Sequence, residues 1–272
     1  VAGFTARPDE APRAAEVYVP ALPRQTIADM VEACARLAAA GFVAVPHIAA
    51  RSLEKRADLE ELLDRLGAAA GVEKALLIAG DYDTPRGPFA SSLDMIATGL
   101  FTKYGFREIA VASYPDGHRG ISTPTLRQAL RDKLVMGRSM GLSVVVVTQF
   151  TFEPDNIVAW GMQTGAAHPD LAVSIGLPGP ARVGTLLRYA TRCGVQAAVR
   201  AVSTYRSTTA QLLSGRAPDR QLVALAKLAL ARPGRWRPHF FTFGGAGQTL
   251  AWVAAVQAGR FEFVDDGAGF TV

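Results

Sequence analysis

At 272 residues the chain has the length of a single (β/α)₈ barrel, typically about 250 residues, and can bury a sizeable core. Its 49% hydrophobic and 19% charged content excludes a disordered chain. A net charge of +5 suits an anionic ligand, but the basic residues are dispersed with no aromatic-interleaved run, which argues against nucleic acid.

Taken in chain order, apolar runs read as strands at 1–5, 16–19, 43–46, 75–79, 108–112, 143–149, 172–176 and 238–243. They alternate with amphipathic helical patterns, the signature of a parallel α/β fold. Eight strands are the number a closed barrel needs. Residues 26–40 place Ile27, Met30, Val31, Cys34 and Leu37 on one face of a helix. Residues 52–69 begin with a cap-like Ser52 and turn Leu53, Leu59, Leu62, Leu63 and Leu66 inward. Only Ala6–Ala15 separate the first two strands, too few for a full barrel helix. Residues 180–237 carry two helical patterns, 181–193 and 219–231, expected to form extra helical structure before the last strand. With no repeat or linker, the reading is one α/β TIM-barrel domain over 1–272.

Several classes are excluded by what the chain lacks. Neither GxGxxG nor GxxxxGK[ST] occurs, which disfavours an open doubly wound sheet. No Cys/His cluster, HExxH or GxSxG occurs, so neither a metal site nor a hydrolase elbow is expected. Cys34 and Cys193 are two lone thiols and suggest a reducing, cytoplasmic setting. No apolar stretch reaches a membrane span of about 18 residues, and no signal peptide is visible.

The candidate chemistry lies just past the predicted strands, where a parallel barrel builds its site. His47 in VPHIAAR reads equally as a structural histidine or a ligand contact. Gly80 and Asp81 follow ALLIA: the glycine admits a flat ligand close to the backbone, and the carboxylate can stabilise a ring that gains positive charge. The competing reading of Asp81 is a cap for a helix near 91–100, a task Ser91 could perform instead. In SYPDGH, Tyr114 can stack on an aromatic cofactor and His118 can hydrogen-bond a phosphate, against the simpler reading of a turn. Gln149, between Thr148 and Phe150 at the end of SVVVVTQF, offers an amide donor and acceptor suited to a heterocycle. Lys133 lies on a helix over 125–138, as a solvated face or a phosphate contact.

VPHIAAR, GDYDTPRGPF, SSLDMI, SYPDGH, LRDKL, VVTQFTFEPD, IGLPGP and HFFTF together resemble, in order and spacing, the methylenetetrahydrofolate reductases. The resemblance covers about 43–193 and 238–243. It implies a barrel that holds FAD, takes hydride from NAD(P)H, and interconverts 5,10-methylenetetrahydrofolate and 5-methyltetrahydrofolate. It implies FAD contacts from His47, Gly80, Asp81, Tyr114, His118 and Lys133. Asp81 would also stabilise the cationic iminium form of the folate substrate. Gln149 and the adjoining Phe150 would contact the pterin, with Leu177 and Pro178 lining the substrate side. Partners would be the folate and nicotinamide substrates, with no nucleic acid or membrane, and a homo-oligomer is allowed.

The chain departs from the family pattern at three places. Gly3 falls where the family has a general-acid glutamate, Pro20 where it has a threonine, and Ala79 where it has an arginine. A flavin-independent member, or a non-catalytic folate- or flavin-binding protein, are the alternatives these departures leave open.

Overall fold

Short runs dominated by Val, Ile, Leu and Ala become the strands, because β-branched and apolar side chains pack on a pleated surface covered on both faces. The structure, a computed structural model, describes residues 15–193 and 215–272. The expected strand 1–5 lies outside the described residues, as does the segment joining the two helical patterns of 180–237. Seven strands form one parallel sheet within a mixed α/β fold. They are β1 (Glu16–Val19), β2 (Val43–Ala49), β3 (Lys74–Ile78), β4 (Glu108–Ser113), β5 (Ser143–Thr148), β6 (Ala172–Pro178) and β9 (Arg235–Phe241), adjacent in that order.

Among the described residues, 15–112 and 127–146 form one compact unit and 113–126, 147–193 and 215–272 a second. In the first, α1 (Ile27–Ala39) begins at Thr26, whose hydroxyl accepts from the Asp29 backbone N–H while Asp29 accepts from the Thr26 N–H. This reciprocal capping box satisfies donors a helix start would otherwise leave unpaired. The helix buries Met30, Val31, Ala33, Cys34 and Leu37, with Ile27 half-buried, and packs on β2 and on α2 (Arg56–Ala70).

Ser52 does not cap α2. It ends a 3₁₀ turn, Ala50–Ser52, and its hydroxyl donates to the Ala49 carbonyl. The helix starts four residues later, where Asp58 accepts from the backbone N–H groups of Glu54 and Lys55. The inward leucines Leu59, Leu62, Leu63 and Leu66 are buried as expected. The helix expected near 91–100 is two short ones, α3 (Ser92–Ala97) and α4 (Leu100–Lys103), broken at Gly99 with φ 71°.

Four strand starts in this unit are tied by charge. Lys74 Nζ lies 2.6 Å from Glu16 Oε1 and 3.2 Å from Glu108 Oε1, and the Ser143 hydroxyl lies 3.3 Å from Glu108 Oε2. Burial pulls the Lys74 pKa down, but the hydrogen bond and charge of Glu16, joined by those of Glu108, outweigh it and hold the ammonium above its ordinary value. The helix α5 (Thr123–Ser139) crosses onto β5 through Gly137, where a Cβ would sit 2.4 Å from Val144 Cγ2. Only glycine admits that approach.

In the second unit, α6 (Pro154–Ala167) packs on α8 (Asp219–Ala231) through Gly161, which lies against Leu228. The short strands β7 (Ala181–Arg182) and β8 (Gly215–Arg216) pair antiparallel, and α7 (Val183–Arg192) follows β7. α7 and α8 match the two helical patterns expected in 180–237. Beyond β9 the chain adds α9 (Ala246–Gln257) and an antiparallel hairpin, β10 (Glu262–Val264) with β11 (Gly269–Thr271). Trp252 of α9 stacks on Phe270 of the hairpin, with centroids 5.7 Å apart.

Candidate functional site

β2 runs three residues past the expected boundary and takes His47 into the strand rather than beyond it. The reason is a change of partner at Pro46. Pairing with β1 ends at Val19 opposite Pro46, and pairing with β3 begins at His47 opposite Leu76. A proline, lacking an N–H, fits where the ladder on one side stops and the other starts. The half-buried His47 ring meets Tyr18 edge-on at 6.1 Å.

β3 ends at Ile78, and Gly80 turns the chain with φ 91°. A Cβ on Gly80 would lie 3.1 Å from the Ala49 Cβ, so the ends of β2 and β3 meet closely here. Asp81 follows and is exposed. It caps no helix: Asp94 accepts from the Ala90 and Ser91 backbone N–H groups, both at 2.8 Å, and closes the start of α3 itself. Among the described residues, no hydrogen bond or ion pair engages the Asp81 carboxylate.

The loop carrying Asp81 is held by Arg51. Its guanidinium donates to the carbonyls of Ala90 at 2.8 Å and Tyr82 at 3.0 Å. Its backbone N–H donates to Ala79, and its carbonyl accepts from Arg86. Gly87 presses on the Glu54 backbone, where a Cβ would come within 2.2 Å of the carbonyl oxygen. Arg51 closes the VPHIAAR motif, yet its role is invisible locally because its partners lie 31 and 39 residues away.

Lys133 lies on α5, half-buried beside Leu130 and Leu134. Burial alone lowers its pKa, and no hydrogen bond or ion pair joins it to another described residue. A desolvated cation without an internal counter-charge is costly to hold and suits an incoming anion.

In the second unit, β4 ends at Ser113 and a tight turn follows, with the Gly117 N–H donating to the Tyr114 carbonyl and Gly117 at φ 77°. The Tyr114 and His118 rings meet edge-on at 5.1 Å. His118 Nδ1 accepts from the Gly120 N–H at 3.1 Å, which leaves Nε2 of the neutral ring to carry the proton. SYPDGH therefore forms the turn of the simpler reading, with the Tyr114 and His118 rings in contact across it.

The same unit brings the remaining candidates together. The Gln149 N–H donates to Ser113 at 2.8 Å, joining the end of β5 to the start of that turn. The half-buried Gln149 turns its Oε1 back to the Phe150 N–H at 3.2 Å. The Gly176 N–H donates to the buried Thr148 hydroxyl at 2.8 Å, and a Cβ on Gly176 would lie 2.5 Å from the Thr148 carbonyl oxygen. That approach sets Leu177 and Pro178, both buried, beside the end of β5. Phe150 is buried within an aromatic cluster, with Phe152, Phe241 and Phe243 at centroid distances of 5.6, 5.1 and 4.9 Å.

A polar group absent from the sequence expectations lies under the turn. Asp116 Oδ1 accepts from the Thr151 hydroxyl at 2.6 Å and from Asn156 Nδ2 at 2.8 Å. Asp116 sits inside SYPDGH, where an aspartate before glycine signals only a turn. No protein-family model matches this chain. Among the described residues there is no group of side chains that could hold a metal ion, and no helix is long and apolar enough to cross a membrane.

Proposed function

We propose that this chain is a methylenetetrahydrofolate reductase-like oxidoreductase on a (β/α)₈ barrel, interconverting 5,10-methylenetetrahydrofolate and 5-methyltetrahydrofolate with NAD(P)H and FAD. The observation that carries the reading is Asp81. A carboxylate stands exposed directly after a strand and a left-handed glycine, on a loop clamped by Arg51, with no capping task to explain it.

Lys133 is the test of whether the residues fit a flavin dinucleotide. A lysine whose charge is penalised by burial and unmatched among the described residues suits a diphosphate, which would restore its lost solvation. His47, Gly80, Tyr114 and His118 would complete the contacts, with Gly80 leaving the backbone open and Tyr114 offering a ring face. FAD, when bound, supplies the relay of hydride between nicotinamide and folate.

The chain's own side chains supply charge and orientation. Asp81 would place a negative charge beside the folate iminium cation, which favours that form over the closed ring. Gln149 would orient the pterin through its amide donor and acceptor, and its Oε1 is already held by the Phe150 N–H. Leu177 and Pro178 would bound the substrate side and exclude water.

A flavin-independent member is the second reading, favoured by Pro20. It stands immediately after β1 and offers no hydroxyl where the resemblance expects a threonine. The experiment is the absorption spectrum of the purified protein, with turnover of 5-methyltetrahydrofolate and of NAD(P)H. Flavin bands with turnover support the first reading. A colourless protein with turnover supports the second. Binding of folate or flavin without turnover would reduce the chain to a binding protein and overturn the enzymatic proposal.

A further inference from the structure

Thr151 does two things with one hydroxyl. It donates to Asp116 Oδ1 at 2.6 Å and accepts from the Glu153 N–H at 3.1 Å. Asn156, in the first turn of α6, donates to the same carboxylate oxygen. Asp116 thus fastens the turn after β4 to both the segment after β5 and the N-terminal turn of α6. The three donors and acceptors polarise one another, and a carboxylate near the N-terminus of α6 is favoured by the helix dipole. The bonds span 35 and 40 residues of sequence, so they fix one loop against another rather than shape either loop locally.

What they fix is specific. On one side of Asp116 lie Tyr114 and His118, whose rings contact each other across the turn. On the other side Thr151 is fully buried and two residues from Gln149. The backbone bond from Gln149 to Ser113 closes the same unit from the strand side. The Asp116 link thus adds two side-chain bonds to the backbone bond that ties the start of the turn to β5 at Ser113.

We propose that Asp116 is a positioning residue that sets the cofactor-contacting turn Tyr114–His118 in register with the substrate-contacting end of β5, so that cofactor and folate affinities depend on one carboxylate. The inference rests on the function proposed above. Loss of the register is expected to weaken both affinities by about tenfold, which is about 1.4 kcal/mol.

The test uses the full chain and three substitutions: Asp116→Asn, Thr151→Val and Thr151→Ser. Asp116→Asn and Thr151→Val preserve side-chain shape, and far-UV circular dichroism matching the unsubstituted protein certifies the fold of each. The readouts are the FAD dissociation constant, the KM for 5-methyltetrahydrofolate, and kcat at saturation. Thr151→Val is expected to raise both the FAD constant and the KM by about tenfold, with kcat within about twofold. Asp116→Asn is expected to shift both in the same direction, and Thr151→Ser to restore both. A folded Thr151→Val protein with both constants unchanged overturns the positioning role. So does a Thr151→Ser protein as impaired as the valine variant. Unsubstituted protein that binds neither FAD nor folate overturns the function itself, and this inference with it.

Discussion

Asp81 and Lys133 are two charged candidates that no hydrogen bond or ion pair joins to another described residue. Replacing Asp81 with Asn removes the charge while keeping shape, and should lower kcat by about 10²-fold with little change in melting temperature, because electrostatic stabilisation of a developing charge is of that order and the carboxylate engages no other described residue. Stopped-flow reduction of folate checks it; an unchanged rate would remove Asp81 from the chemistry. Lys133 should behave in the opposite sense for stability. Burial lowers its pKa in the folded chain below the ordinary 10.5, so at neutral pH the charged form costs folding free energy. Lys133→Met should therefore unfold at higher urea than the parent. That advantage should shrink as pH rises through the lowered pKa, where the folded chain sheds the proton, and vanish above 10.5. If Lys133 meets the diphosphate as proposed, the same substitution should weaken FAD binding by about tenfold or more. Gain of stability with loss of affinity is the mark of a residue kept for a ligand.

At the scale of elements, the loop after β3 depends on an arginine from the 3₁₀ turn that follows β2. Arg51 satisfies two loop carbonyls through its side chain and two loop contacts through its backbone. Lysine cannot reproduce the fork, because one ammonium cannot reach two carbonyls in that geometry. Arg51→Lys should leave the melting temperature within a few degrees while hydrogen exchange quickens selectively over 81–90, and kcat should fall with it as Asp81 loses its fixed placement. Protection of 81–90 unchanged from the parent would show that the loop holds itself. The elements themselves were largely legible: amphipathic spacing located α1, α2, α5, α7 and α8, and apolar runs located seven strands to within about three residues. Errors arose where local rules were overruled by partners. Pro46 looked like a strand end until its position at the change from β1 to β3 pairing made the missing N–H harmless. Ser52 looked like a cap until Asp58 took that place.

At the scale of the whole molecule, the two thiols report on the fold. Cys34 is fully buried in α1 and burial pushes its pKa up to about 12, whereas Cys193 is exposed. A thiolate-specific reagent at pH 8 should label Cys193 promptly and Cys34 only at the rate of unfolding, measured by mass spectrometry of the two peptides. Rapid labelling of Cys34 without denaturant would mean that α1 opens independently.

The sequence by itself determined the mixed α/β fold and the seven strands of its parallel sheet, because hydrophobic period is a local property that survives without knowledge of partners. It named Asp81 but could not free it from helix capping; the Asp94 bonds to Ala90 and Ser91 did that. It named Tyr114 and His118 but not Asp116, Thr151 and Asn156, which hold their turn. Arg51, the clamp of the Asp81 loop, was likewise silent. Hydrogen bonds that join residues 31 to 40 positions apart leave no periodicity in the chain. Only the tertiary structure decided which polar residues are tied to distant partners and which are not, because those bonds form between segments brought together by folding.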